Sequence, residues 1–474
     1  MRIAILHFHL RPGGVTRVIE LAAQALKEQG CNVLVISGEE RPDSCRLEAR
    51  SVQVVPALAY GGFPQQAEEL INGVEQACRK HWGAPADLIH VHNHALGKSF
   101  CLPLAVAQWA NQGRALLLQM HDFAENGRPG NYQSLLHHLG GREELSSLLY
   151  PCGSHVGMAV LNSSDAQSLK VAGREKLPTV LSNPVSLAEA DDTPLNQELG
   201  VSRALVYPTR GIRRKNIGEA VFWAAQAQAG NLFIISSAPE DAASASIYQG
   251  WREFAQEAKL PILFDAARHL GRNVCSLVRG ADACVTTSVE EGFGMAFLEP
   301  WLAGKAILGR DLPGVTQDFV QQEITLDHLY ERLNVPLDLF APGEVKAAVE
   351  SSARRTLAAY GIEADEALLE KARRSVIREG TCDFGRLPED LQRQAIRATP
   401  HRTYDLPSPP HGETISLNAA RVRENYSLAA YGKKLSGIYG SLLGEKTGPV
   451  HFLQAGEVLK NFLRLDDFSA LRAL

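Results

Sequence analysis

Thr286-Thr287-Ser288-Val289-Glu290-Glu291-Gly292-Phe293-Gly294-Met295-Ala296-Phe297-Leu298-Glu299 reads as a buried strand ending at Thr287, a turn carrying two glycines, and the start of an apolar helix. Glycine permits a tight turn and a close backbone approach to a ligand. A helix N-terminus then offers unpaired N–H groups and a positive dipole end to an anion. Glu291 and Glu299 flank the turn with seven residues between them, one before the helix and one about a turn inside it. Carboxylates accept hydrogen bonds from hydroxyls, so this pair can hold sugar and ribose hydroxyls around a phosphate. Spacing alone fits equally a plain strand–turn–helix with solvated glutamates.

The same strand–loop–helix step recurs on both sides of this stretch. Upstream, short apolar runs at 3–7, 32–37, 52–55, 87–92, 115–120, 157–161 and 179–182 alternate with helical patterns. Val15, Val18, Ile19, Ala22 and Leu26 form one such pattern, ending at Gly30. Strands alternating with helices predict a parallel sheet covered on both faces. Residues 186–200 are polar and acidic, and a second series follows at 204–208, 232–236, 261–264, 283–287 and 306–309. The expected fold class is therefore α/β, with two Rossmann-like domains facing across a cleft. Ligands of such sheets bind at the C-terminal ends of the strands. The expected domains are 1–190 and 200–417, with 418–474 as a helical segment. Within the last third, 345–379 reads as helical, 399–412 as a proline-rich connector and 418–443 as one long helix.

Three further strand ends carry candidate chemistry. In Thr209-Arg210-Gly211-Ile212-Arg213-Arg214-Lys215-Asn216, Arg210 and Lys215 bracket a glycine-containing loop. A planar guanidinium fork and a point charge together suit a diphosphate, although a solvated basic loop has the same composition. Asn216 and Glu219 have capping-box spacing. Gly13-Gly14-Val15 follows the first strand and opens a helix, without the full G-x-G-x-x-G spacing of a dinucleotide loop. His121-Asp122 ends another apolar strand, where the histidine is either a site residue or a core residue. His90, His92 and His94 alternate along a strand end and so share a face. With no carboxylate set nearby, metal binding is not expected there.

Composition narrows the classes. The chain has 474 residues, 48 basic and 53 acidic side chains, and a net charge of −5. That balance argues against a nucleic-acid partner, which needs a broad basic face. The eight cysteines are scattered with no C-x-x-C pair, so reduced thiols are expected rather than a zinc site. The N-terminal apolar run is short and broken by His7, unlike a signal peptide. No stretch approaches the ~20 apolar residues of a membrane span. A cytoplasmic protein without integral membrane association is the expectation.

Taken together, these motifs resemble the family-4 retaining glycosyltransferases of the GT-B fold, glycosyltransferases group 1. Glu291-Gly292-Phe293-Gly294 through Glu299 is similar to their Glu, seven residues, Glu signature. Arg210 and Lys215 resemble the donor-diphosphate pair, Gly13-Gly14-Val15 the N-terminal glycine loop, and His121-Asp122 the family's cleft histidine. Glu424-Asn425-Tyr426-Ser427 resembles part of a terminal helix that crosses back to the first domain. The resemblance implies that the C-terminal domain binds a nucleotide-sugar donor and the N-terminal domain supplies the acceptor site. Arg210 and Lys215 would then neutralise the leaving diphosphate, Glu299 hold ribose hydroxyls and Glu291 hold donor-sugar hydroxyls. Gly13, Gly14, Gly292, Phe293, Gly294 and Met295 would line the donor, and His121 would act beside it. It also implies a hexosyl transfer with retention, the diphosphate itself taking the acceptor's proton; the lack of a membrane segment and of a basic amphipathic face points instead to a soluble polar acceptor. No cofactor is expected beyond the donor as substrate, and no metal, because no Asp-x-Asp motif occurs. The chain departs from the pattern at Pro300, at Arg310-Asp311-Leu312-Pro313-Gly314 and throughout 322–417. A nucleotide-sugar epimerase of the same architecture and a non-catalytic sugar-nucleotide binding protein remain as alternatives.

Overall fold

The structure, a computed structural model, describes residues 1–472. It divides into two compact units, one of Met1–Pro184 with Tyr426–Leu463, the other of Val185–Asn425 with residues 464–472.

The first unit is built on seven strands: β1 (Arg2–His7), β2 (Asn32–Ser37), β3 (Val52–Val54), β4 (Leu88–His92), β5 (Leu116–Gln119), β6 (Val156–Val160) and β7 (Thr179–Val180). Their order is β3-β2-β1-β4-β5-β6-β7 and every pairing is parallel. Ile3, Ala4, Ile5 and Leu6 are fully buried, as a strand covered on both faces requires. Strand order reverses between β1 and β4, which opens a crevice at their C-terminal ends.

The second unit repeats the plan with β8 (Arg203–Arg210), β9 (Asn231–Ser237), β10 (Ile262–Leu263), β11 (Ala283–Thr286) and β12 (Ile307–Gly309). The order is β10-β9-β8-β11-β12, again all parallel. Its reversal falls between β8 and β11, the two strands that carry the basic loop and the glycine turn. Among the described residues, no helix is long and apolar enough to cross a membrane, and all eight cysteines are free thiols.

The last third differs from the sequence expectation in three ways. The pattern over 345–379 is two helices, Glu344–Ala359 and Glu366–Val376. The single helix expected over 418–443 is also two, Gly412–Asn425 and Leu428–Gly444. Ser427 takes an extended backbone between them and its Oγ accepts the Ala430 N–H at 3.2 Å, an N-cap that starts a new helix. The second helix lays Tyr431, Leu435, Tyr439 and Leu442 into the core of the first unit. Its Gly432 packs so tightly on the helix Gly14–Glu28 that a Cβ there would lie 2.9 Å from Ala25 Cβ. Finally, the segment expected over 418–474 does not return to the first unit as a block: among the described residues, 418–425 and 464–472 belong to the second.

Residues 322–417, unmatched by the family pattern, form an antiparallel sheet flanked by helices. Its strands are β13 (Asn334–Pro336), β14 (Ile377–Arg378) and β15 (Thr381–Asp383), in the order β13-β15-β14. Arg310, the other departure, explains how this sheet is attached. Its guanidinium is buried between Glu219 of the helix Ile217–Gln226 and Asp383 of β15, at 2.7 Å from each. Tyr330 Oη donates to the same Glu219 carboxylate at 2.7 Å. Burial alone would raise the Asp383 carboxyl, but the Arg310 guanidinium holds it below its ordinary value.

Candidate functional site at the strand ends

In the second unit the basic loop and the glycine turn are clipped together at the reversal point. Val289 N–H donates to Arg214 O at 3.0 Å, and Thr287 Oγ1 donates to Lys215 O at 3.1 Å and Asn216 O at 3.0 Å. Tyr207 Oη lies 3.0 Å from Lys215 O and 2.8 Å from Ser288 Oγ, and Ser288 Oγ donates to Glu291 Oε1 at 2.6 Å. The result is that the Lys215 ammonium is seated on the Glu291 carboxylate. Both side chains are largely buried, at 15% and 9% exposure. Burial would raise the Glu291 carboxyl, yet Lys215 and Arg214 hold it below its ordinary value. A positive charge is thus held at the strand ends beside a fixed carboxylate. Sequence reasoning named Lys215 and Glu291 but missed Tyr207, Thr287 and Ser288. Their hydroxyls on a strand end were the available signal.

Arg210 is placed differently. It ends β8 on the surface and its guanidinium reaches Glu240 at 3.2 Å, with no contact to Lys215. Asn216 does not form the expected capping box. It adopts a left-handed backbone, φ 51°, which asparagine tolerates. Its Nδ2 donates to the Glu219 carboxylate at 2.9 Å, and Glu219 is committed to Arg310.

The apolar helix expected after the turn is also broken. A 3₁₀ turn, Met295–Phe297, is followed by a separate short helix, Glu299–Leu302. Pro300 lies in the first turn of that helix, where its missing N–H would have no partner anyway. Glu299 is therefore the first helical residue rather than one a turn inside. Its carboxyl has no partner among the described residues, and burial pushes it up to about 7. Gly294 has a fold-level reason to be glycine: φ is +84° and a Cβ would lie 2.9 Å from Val315 Cγ1. Phe293 is buried and Met295 is exposed.

In the first unit the glycine loop follows β1, and the helix Gly14–Glu28 starts directly from it. Neither glycine has a left-handed backbone. A Cβ on Gly14 would meet nothing within 4 Å, and one on Gly13 only Arg11 O at 3.9 Å. The fold does not require glycine here, so the space they leave is available to something outside the chain. His121 follows β5 and is almost fully buried. Its N–H donates to Asn93 Oδ1 at 2.7 Å and its ring nitrogen Nε2 meets His92 Nδ1 at 2.8 Å. Asp122 pairs with Arg128 at 2.6 Å. His90 is spent on Tyr439 Oη and Gln119 Oε1, and His94 on Leu149 O. Among the described residues, no three His, Cys, Asp or Glu side chains are grouped to hold a metal ion.

Comparison with known proteins bears on the fold that carries these residues. Residues 13–156 match the family model of the glycosyl transferase 4-like domain. The chain is 25% identical over 442 residues to mannosylglucosyl-3-phosphoglycerate synthase of Petrotoga mobilis, covering 85% of this chain and 82% of that one. Among solved structures it resembles Anabaena HepE, in complex with UDP and glucose, with a TM-score of 0.54 and 15% identity. That match covers 93% of this chain and 100% of the other. It also resembles sucrose-phosphate synthase of Thermosynechococcus elongatus, with a TM-score of 0.53, 14% identity and coverage of 93% and 99%. The chain thus carries a glycosyl transferase 4-like domain over residues 13–156 and shares the fold of these glycosyltransferase structures.

Proposed function

We propose that this chain is a group 1 glycosyltransferase and moves a hexosyl group, with retention, from a nucleotide-diphosphate sugar to a small anionic acceptor. The observation that carries the reading is the Lys215–Glu291 pair, fixed where β8 and β11 diverge. A fixed cation at a strand end stabilises charge as it develops on a leaving diphosphate, and it needs no reorganisation at that moment. Arg210, on the same loop, reaches the diphosphate by leaving Glu240. In the reaction the acceptor oxygen bonds to the anomeric carbon, the bond from that carbon to the diphosphate breaks, and the acceptor proton passes to a diphosphate oxygen. Glu291 and the backbone of Gly292–Met295 hold the donor sugar, and Glu299 the ribose hydroxyls. In the first unit, taken by itself, His121, Gly13 and Gly14 are the residues proposed to touch substrate.

The anionic acceptor is supported by the rim beside the glycine loop. His9 Nε2 bonds to Tyr60 Oη at 3.0 Å, and the Lys98 ammonium lies 5.7 Å from the centre of the Tyr60 ring. Lys98 has no ion-pair partner among the described residues. The phosphoglycerate in the name of the Petrotoga mobilis relative points the same way. The test is a panel of labelled UDP-, GDP- and ADP-sugars with and without sugar acceptors bearing phosphate or carboxylate, run with and without EDTA. Transfer that survives EDTA is expected. Epimerised donor, or binding without turnover, would replace this reading with one of the two alternatives.

Glu299 gives the reading a pH signature. Its carboxyl, pushed up to about 7 by burial, is largely protonated at pH 6 and largely ionised at pH 8. Ribose hydroxyls donate more strongly to the carboxylate. The KM for donor is therefore expected to fall several-fold as pH rises from 6 to 8, and Glu299→Gln to abolish that slope and leave KM high. The stability of the free protein is expected to follow the opposite trend. A carboxyl whose pKa is raised by folding binds its proton better in the folded state, so its contribution to stability declines as pH climbs from the unfolded value through 7. An unchanged pH profile in Glu299→Gln would remove this residue from donor binding.

A further inference from the structure

The first unit holds a column of histidines behind His121 that the transfer reaction does not use. The rings of His90 and His92 stack with centroids 4.3 Å apart, and His92 and His121 lie nearly parallel at 13°. His92 ends β4, and its ring is fully buried. Its Nδ1 is 2.8 Å from His121 Nε2, and its Nε2 has no partner. Two neutral imidazoles that meet through one nitrogen each share a single hydrogen across that contact. The tautomer of one ring then dictates the tautomer of the other.

We infer that His92 is a positioning residue, which fixes His121 in one rotamer and one tautomer so that only His121 Nδ1 remains to meet the substrate. Asn93, the next residue, anchors the same element from the backbone side by accepting the His121 N–H at 2.7 Å and the Asp122 N–H at 3.3 Å. Ring and main chain of His121 are thus held by consecutive residues of one strand end. Asn93 reaches this arrangement through a left-handed backbone, φ 56°. Burial keeps the rings neutral, with His121 pushed down to about 4 and His92 well below its ordinary value. The shared hydrogen is therefore not replaced by a second proton at neutral pH.

The inference rests on the reading that His121 touches substrate, and the test separates the two. His92→Phe keeps a ring of similar shape in the stack and removes the hydrogen bond. It is expected to lower kcat/KM for transfer by about 10-fold, because a misplaced contact weakens transition-state binding. In a His121→Ala background the same change is expected to have no further effect, since the two act as one unit. His92→Asn, whose amide can stand near the Nδ1 position, should recover part of the rate. Nitrogen-15 spectra of labelled protein should show His121 in a single tautomer, replaced by an averaged signal in His92→Phe. If His92→Phe misfolds, His92→Asn and the spectrum of the unaltered protein still decide. An averaged His121 signal in the unaltered protein, or equal losses from His92→Phe in both backgrounds, would overturn the inference. Normal kinetics in His121→Ala would instead sink the reading of His121 itself.

Discussion

Lys215→Ala is expected to lower kcat/KM by about 100- to 1,000-fold, the range seen when a preorganised charge-stabilising donor is removed. Steady-state transfer with the donor found in the panel checks it. The loss should fall on kcat more than on KM, because the contact strengthens as the leaving group gains charge. The structure adds a second consequence. Glu291 is 9% exposed and loses its partner, so the variant should also lose about 1–3 kcal/mol of stability. The double variant Lys215→Ala/Glu291→Gln removes the stranded charge and should regain stability without regaining rate. Arg210→Ala offers a contrast. Among the described residues the Arg210 guanidinium pairs only with the exposed Glu240, so its loss should slow turnover and leave the melting temperature unchanged. Near-normal turnover in a folded Lys215→Ala protein would remove the charge-stabilising role.

Arg310→Leu is expected to cost ~3–5 kcal/mol of stability, measured by denaturant unfolding. The reason is not the loss of an attraction by itself. Glu219 and Asp383 are both 0% exposed, and without the guanidinium Glu219 keeps only neutral donors, Tyr330 and Asn216, while Asp383 keeps only Arg386 at 3.1 Å as an ion-pair partner among the described residues. The pH dependence carries the sign. In the variant both carboxyls are raised in the folded state, so folding takes up protons. The variant should then be closest to the unaltered protein at acidic pH and fall away as pH rises. Arg310→Met combined with Glu219→Gln and Asp383→Asn should restore much of the loss, because a buried ion triad is replaceable by neutral groups. A loss under 1 kcal/mol in Arg310→Leu, with no pH trend, would mean the module of 322–417 is held by packing alone.

How far the sequence could be read follows the physics of each region. Both parallel sheets were legible because strands buried on two faces are continuous apolar runs, and β1 to β12 lie where those runs lie. The break before the helix Leu428–Gly444 was not legible, because Tyr426 and Ser427 interrupt neither the apolar period nor the composition. Only the cap geometry of Ser427 reveals it. Lys215 and Glu291 could be named from their strand ends, but their contact spans 76 residues of sequence and depends on three hydroxyls that pin the loops. Glu219 shows the opposite failure. Local spacing suggested a cap, and a tertiary ion pair with Arg310 took the side chain instead. Arg310 itself was visible only as a departure. Its meaning appears once Asp383, 73 residues on, is brought beside it. The split of the expected helix after Gly294 lies between these cases. Pro300 signalled an irregularity, and the 3₁₀ turn before it resolved which kind.

The most direct measurement of the central claim is real-time proton NMR of the anomeric signals during incubation with the accepted donor and an anionic acceptor. The account predicts that the donor signal decays as a product signal of the same anomeric configuration grows, with one nucleoside diphosphate released per glycosidic bond formed. A product of inverted configuration would contradict retention. Donor consumed without any glycosidic bond to the acceptor would contradict glycosyl transfer as the reaction of this chain.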